Sequence, residues 1–300
     1  LGPQEYGLRA GTLEQIAAPD FLSPAEMPHV LNPKRGWIAT ANNRHWPADA
    51  ALHGGRGYSQ GFRATRLHEL LLASPKHDRE TFSRIQCDDQ AVDGRYFVPL
   101  LLAALKGEDD GQRAWLAKLA AWDFSTGVEC EVCGVYRRLM DHAVEALKVE
   151  EPGFWRLGVA KDPEWVTTVQ DAFQKAWGEV GARKWGEVHF NSFPHMSNKE
   201  DWVFAPRIPT RGDKNSLNPG SMKWNEDEGR FDQTAGASKR LFVEMHDIPQ
   251  VWLALPGLNA RYDDHQGADP WTAWESCQQS RVEWPVKWDS KALEKVEIEL

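Results

Sequence analysis

The sequence predicts an α+β fold in the order strand, helices, strands, with a large helical middle segment. Three observations carry this. Apolar residues recur at helical spacing from about 63 to 183. After about 184, Gly, Asn, Asp and Pro become frequent and short extended runs alternate with turn residues. Ahead of the helices, Arg35-Gly36-Trp37-Ile38-Ala39-Thr40-Ala41 opens as an aromatic and β-branched run and then breaks at Asn42-Asn43. No low-complexity linker separates these parts, so residues 1–300 are expected to form one architectural unit rather than two free domains.

Each element has a local reason. Residues 1–31 form a lead-in, with a short helix expected over 24–31 because Ser23 stands as N-cap before Pro24 at the first helical position. Residues 32–62 hold the first strand and the Asn pair. The segment 63–183 is helical. Leu67, Leu70, Leu71 and Leu72 give a helix over 63–72 that stops before Ser74-Pro75, and Phe82, Ile85 and Val92 give one over 78–92. Further helices follow over 94–106, over 111–122 with Trp115, Leu116, Leu119 and Trp122 on one stripe, and over 134–148 with Tyr136, Leu139, Ala143 and Leu147 on another. In the strand-rich segment 184–300, strands are expected at 186–190, 220–224, 239–244 and 251–255.

Composition removes several classes of function. Lys and Arg number 35 against 44 Asp and Glu, a net charge of -9, which argues against nucleic acid as a partner. Hydrophobic residues at 41% and charged residues at 26% belong to a chain that folds. The longest apolar stretch, 97–105, contains Pro99 and falls well short of the roughly 20 residues a membrane helix needs, so it reads as a buried helix with no membrane partner. The 15 Trp against 5 Tyr suit core filling, with some left for an aromatic-lined cleft. Cysteines stand at 87, 130, 133 and 277. A single CxxC lacks the second pair that zinc needs and the βαβ setting of a redox motif, so structural disulfides or buried thiols are expected, with their pairing open.

The familiar catalytic signatures are absent. Neither GxxxxGK[ST] nor GxGxxG occurs, and GxSxG and HExxH are missing too. The run 211–220 has Asp213 but Trp224 where a calcium loop needs its closing Glu, so it reads as a turn and no metal site is assigned. His189, His195 and the pair His246-Asp247 lack a nucleophile elbow and are read as structural.

The run 32–44 and Gly61-Phe62-Arg63-Ala64-Thr65-Arg66 give the strongest local signal. An Asn side-chain amide is a neutral donor suited to an oxygen that becomes negative during attack on an amide carbonyl. An Arg opening a helix some twenty residues later can orient that Asn or a substrate acid. On spacing alone a turn-forming Asn and a solvated Arg are the simpler reading.

More than spacing is present. The runs 32–44 and 62–66, then Ile85-Gln86-Cys87-Asp88, Pro99-Leu100-Leu101, Ala121-Trp122-Asp123, Trp185-Gly186-Glu187-Val188-His189, Gly236-Ala237-Ser238-Lys239-Arg240 and Pro256-Gly257 leading to Tyr262-Asp263-Asp264 resemble, in family order, the β-chain of the penicillin acylase (penicillin amidase) family. The resemblance implies an N-terminal-nucleophile hydrolase with a four-layer αββα fold. A processed Ser, with its own α-amino group as base, would form an acyl-enzyme from a small-molecule N-acyl substrate of β-lactam or acyl-homoserine lactone type. It implies Asn42 as the oxyanion-hole side chain and Arg63 as the orienting Arg. It also implies a periplasmic or secreted setting. A family β-chain begins with its nucleophile, whereas Leu1 stands first here with 41 residues ahead of Asn42. The chain is therefore expected to be the C-terminal portion of such a β-chain, with no nucleophile and no activity alone. Its partners would be an α-chain and an N-terminal β segment, the latter carrying any calcium. The turn around 211–215, Gly236-Ala237-Ser238 and Leu258-Asn259-Ala260-Arg261 depart from the family pattern, so no role is carried over to those loops. The alternative reading is a non-catalytic protein that binds carbohydrate or another small molecule on exposed Trp platforms.

Overall fold

The computed structural model describes residues 29–45, 58–192, 207–247, 249–256 and 268–282. Most of the expected 24–31 helix, His195 and the blocks at 257–264 lie outside these residues. Helices α1 (Phe62–Leu72), α2 (Arg79–Gln86), α3 (Val92–Ala104), α4 (Asp110–Ala120) and α5 (Cys133–Leu147) follow the expected helices in order. Three more complete the middle segment: α6 (Glu151–Val159), α7 (Pro163–Val180) and the single turn α8 (Trp185–Val188). The local chemistry agrees with the starts. Asp78 caps α2 by accepting from Thr81 N at 2.8 Å, Asp109 caps α4 by accepting from Gln112 N at 2.7 Å, and Asp162 caps α7 ahead of Pro163.

The main core lies between α3, α4, α5, α6 and α7. Trp115 stacks on Phe173 with ring centroids 5.2 Å apart, and Phe97, Phe154 and Trp165 form a chain of contacts at 5.5 and 5.3 Å. Helices α5 and α7 pack closely because Gly134 faces Val180: a Cβ there would stand 2.9 Å from Val180 Cγ1. Trp115, Trp165, Trp185, Trp271 and Trp274 are all buried, so core filling accounts for much of the Trp content among the described residues. An ion cluster is sealed inside the bundle. Arg137 on α5 donates to Asp93 on α3 at 3.2 Å and to Asp213 in the 211–220 loop, while the Tyr136 hydroxyl donates to Asp93 at 3.0 Å. These charges are 0–2% exposed, and the cluster joins two helices to the loop that leads into the sheets.

Two small sheets follow. The first has the order β1 (His189–Asn191), β3 (Arg230–Ala235), β2 (Ser221–Asn225), with β1 parallel and β2 antiparallel to β3. The second is antiparallel in the order β4 (Arg240–Glu244), β5 (Gln250–Ala254), β6 (Ser280–Val282), with α9 (Ala268–Glu275) between the last two strands. No described helix is long and apolar enough to cross a membrane.

Three expectations need correction. The expected strand at 35–41 has no sheet partner among the described residues: Gly36 N closes a turn on Pro33 O at 2.8 Å, and residues 37–41 run as irregular chain. The expected strand at 186–190 begins as the helical turn α8 and becomes strand only at His189, because Glu187 Oε2 accepts from Lys184 N at 2.7 Å as a capping box does. The expected 78–92 helix is two elements, since α2 stops at Cys87 and Ala91 N turns away to Phe124 O at 2.8 Å. Helices α6, α7 and α9 and strands β3 and β6, by contrast, were not expected as separate elements.

Candidate active site

The site is a loop folded onto a helix start. Asn42 adopts φ 59°, a left-handed conformation that Asn tolerates better than most side chains. Its carbonyl accepts from Ser59 N at 2.8 Å, which brings the loop against the residues that precede α1. The two asparagines then divide the work. Asn43 Oδ1 accepts from Ala41 N at 3.0 Å and so is used up within its own turn. Asn42 is exposed, and its Oδ1 accepts from Arg63 Nη2 at 3.0 Å. The same Nη2 donates to Ser59 Oγ at 2.8 Å.

Elementary hydrogen-bond chemistry orients this pair. A guanidinium only donates, so the Asn42 amide must turn its oxygen toward Arg63 and its NH2 group away. The result is a fixed donor at an exposed position. Arg63 is the second residue of α1, where the positive end of the helix dipole disfavours a cation and no side chain caps Gly61. Burial lowers its affinity for a proton from the usual value, though an arginine remains charged. A cation held against the local electrostatics is the kind of departure that functional sites contain.

A cleft of about 370 Å³ lies beside this junction, lined by Gln60, Phe62, Tyr96, Phe97, Pro152 and Trp155 together with the charged Glu151 and Arg156. Gln60 and Phe62 flank Gly61, next to Ser59 and Arg63, and the Phe62 ring lies 5.8 Å from Tyr96 and 6.0 Å from Phe97.

Behind the site, several of the family-like blocks meet. Arg66, one turn after Arg63, makes a bidentate pair with Asp88 at 2.6 and 3.0 Å. Asp88 O accepts from Asn218 N at 2.8 Å, and Asn218 Oδ1 accepts from Arg240 Nη2 at 2.7 Å. Arg240 also donates to Gln86 O at 3.1 Å and Trp274 O at 2.8 Å. Burial pushes this guanidinium down to about 10, with Glu275 pulling the other way. In the sequence Arg240 stands out only as part of a family-like block, and Asn218 only as part of a turn. The signal that could have found them is an Arg placed among apolar strand residues, which needs buried acceptors.

The other candidates are structural in their surroundings. His189 is buried, stacks on Trp185 at 4.2 Å and places Nδ1 2.9 Å from Thr210 O, with no carboxylate beside it. His246 is exposed and lies 3.5 Å from Glu244. Asp213 is paired with Arg137, which leaves it poorly suited to a cation, and no group of three or more His, Cys, Asp or Glu among the described residues could hold one.

His189 makes a pH prediction. Burial lowers its pKa to about 3, the Thr210 carbonyl only partly opposing it. The unfolded chain protonates this ring below about 6.5, so the stability contributed by neutral His189 is present above that pH and is lost as pH falls toward about 3. Urea unfolding at pH 7 and pH 5 should therefore show a steeper loss for the natural protein than for His189→Phe, by up to about 1.4 kcal/mol per pH unit. Equal slopes would show that His189 is not the group responsible.

A search of the curated proteins finds no match. The family model described as penicillin amidase does match, over residues 7–291, which take in Asn42, Arg63 and every block that meets behind them. With that span covering nearly the whole sequence, the chain belongs to the penicillin amidase family.

Proposed function

We propose that this chain belongs to an amide hydrolase of the N-terminal-nucleophile class, with the four-layer αββα arrangement of that class, acting on an N-acyl bond in a β-lactam or acyl-homoserine lactone type of small molecule. The observation that carries the reading is the 3.0 Å bond from Arg63 Nη2 to Asn42 Oδ1, which leaves the Asn42 NH2 as an aimed, uncharged donor in a member of this family. In the reaction the nucleophilic hydroxyl adds to the amide carbonyl. The oxyanion takes a hydrogen bond from Asn42 Nδ2, the amine departs and the acyl-enzyme is hydrolysed by water. Arg63 acts by holding Asn42. The aromatic cleft beside Phe62 and Tyr96 is the candidate seat for an apolar acyl group.

We place the nucleophile outside these 300 residues. Ser59, the hydroxyl joined to the pair, accepts from Arg63 and, among the described residues, is bonded to no base that could take its proton. The partners in this reading are an α-chain and a nucleophile-bearing segment, in a periplasmic or secreted setting. The alternative of Trp binding platforms has little support, because of the described Trp side chains only Trp155 is among the exposed large hydrophobics, at 43%.

The test is release of chromophore from N-acyl amides of graded acyl length. The chain alone is expected to release none, and co-expression with a family nucleophile segment to yield turnover. Ligand binding without cleavage in that co-expressed form would overturn the hydrolase reading in favour of a binding protein.

A further inference from the structure

The Cys130-Glu131-Val132-Cys133 segment lies outside the site just described. It has three features that together point to chemistry of its own. The two cysteines are bonded to each other. Cys133 is 2% exposed inside the core at the first position of α5, whereas Cys130 is only partly buried and lines a separate surface cleft of about 480 Å³ with Trp122, Ser125, Gly127 and Glu129. Finally, Cys133 N donates to Cys130 Sγ at 3.2 Å, so an N–H from the first turn of α5 already points at the accessible sulfur.

We propose that Cys130–Cys133 is an exchangeable disulfide that takes a low-molecular-weight thiol in this cleft. The thiolate of that compound attacks Cys130 Sγ, the Cys130–Cys133 bond breaks, and the electron pair leaves on Cys133 Sγ, which takes up a proton. Ser125 O, 3.4 Å from Cys133 Sγ, is placed to accept the new S–H. A second thiolate attacks the external sulfur of the mixed disulfide and releases Cys130 as thiolate, stabilised by the Cys133 N–H. In sum, two thiols are oxidised to one disulfide while the protein disulfide becomes a dithiol.

The surroundings favour exchange without unfolding. Cys130 N donates to Gly127 O at 2.9 Å, Trp185 N to Cys130 O at 2.8 Å and Gly186 N to Val128 O at 2.8 Å, so the loop is held by its backbone whether or not the sulfurs are joined. Of the charged side chains around the cleft, Lys118 pairs with Glu131 at 2.8 Å and Lys184 with Glu129 at 2.6 Å, while Asp123 accepts from Ser125 N at 2.9 Å. The other disulfide, Cys87–Cys277, has Cys277 buried at 6% and lines neither this cleft nor the one beside Phe62.

The test uses the asymmetry between the two sulfurs. Folded Cys133→Ser and Cys130→Ser proteins are incubated with oxidised glutathione and adducts are mapped by mass spectrometry. The thiolate of Cys130 should gain a glutathionyl group at least about tenfold faster than that of Cys133. Equal rates, or no adduct on either, would overturn the proposal. The natural protein provides a readout free of variant folding. Titration with a dithiol followed by alkylation should label Cys130 and Cys133 first, with Cys87–Cys277 intact and the helical circular dichroism unchanged. Simultaneous opening of both disulfides, or opening only on unfolding, would overturn it as well.

Discussion

Asn42→Ala is expected to lower kcat of the active enzyme by about 10²–10³-fold, about 2.7–4 kcal/mol of transition-state stabilisation, while KM for the amide moves far less. In the proposed reaction the Asn42 NH2, held outward by the bond from Arg63 at 3.0 Å, is the donor that meets the oxygen as charge develops. Alanine at φ 59° also strains the backbone, so Asn42→Gly is the cleaner comparison: it keeps the turn and removes only the amide. Asn42→Asp separates positioning from catalysis. A carboxylate would pair well with Arg63, yet it offers no donor and sets a negative charge against the oxyanion, so activity should fall at least as far as in the glycine variant. Retention of kcat in Asn42→Gly, with the fold intact, would sink the assignment.

Replacing Cys87 and Cys277 together by Ala is expected to cost about 5 kcal/mol of folding stability on the chain-entropy relation, because the bond joins residues separated by 190 positions. Against a typical total of about 5–15 kcal/mol, that is a large share. Its structural target can be named. Ser83 Oγ donates to Cys277 O at 2.9 Å, Gln279 Nε2 to Gln86 Oε1 at 2.7 Å and Gln86 Nε2 to Leu241 O at 2.9 Å, so the disulfide closes a seam between the end of α2 and the sheet β4-β5-β6. Loss of the bond should loosen that sheet first, seen as early hydrogen exchange at β4 and β5 ahead of α5 and α7. The same relation assigns only about 2 kcal/mol to Cys130–Cys133, which closes a loop of two intervening residues. A double variant within about 1 kcal/mol of the natural protein in chemical denaturation would refute the seam as a stabilising device.

Much of the helical segment was legible because its information is local. The stripes through Trp115 and Leu119 and through Tyr136 and Leu139 each repeat within about one turn of the helix they line. Strand pairing was less legible. The pairing of β3 with β1 joins chain far apart in sequence, and the polar run Arg230–Ala235 carries little alternation of its own to mark it as the partner of the neighbouring β2. The run at 35–41 shows the opposite failure. Its β-branched and aromatic residues have strand propensity but meet no partner edge among the described residues, so propensity was overridden by the turn at Gly36 and the anchoring of Asn42 to Ser59.

The sequence by itself determined the helical middle, the helix start at Arg63, the Asn pair and the family to which these belong, since each is carried by residues close together or by blocks in order. Which asparagine keeps its amide free, that Arg63 reaches it across 21 positions, that Arg66 meets Asp88 across 22, and which cysteines join were decided only in three dimensions. The hydrogen bonds depend on one donor and one acceptor brought within about 3 Å, and the disulfides on two sulfurs brought within bonding reach; that geometry is set by how the helices pack and the loops close, which no local pattern encodes.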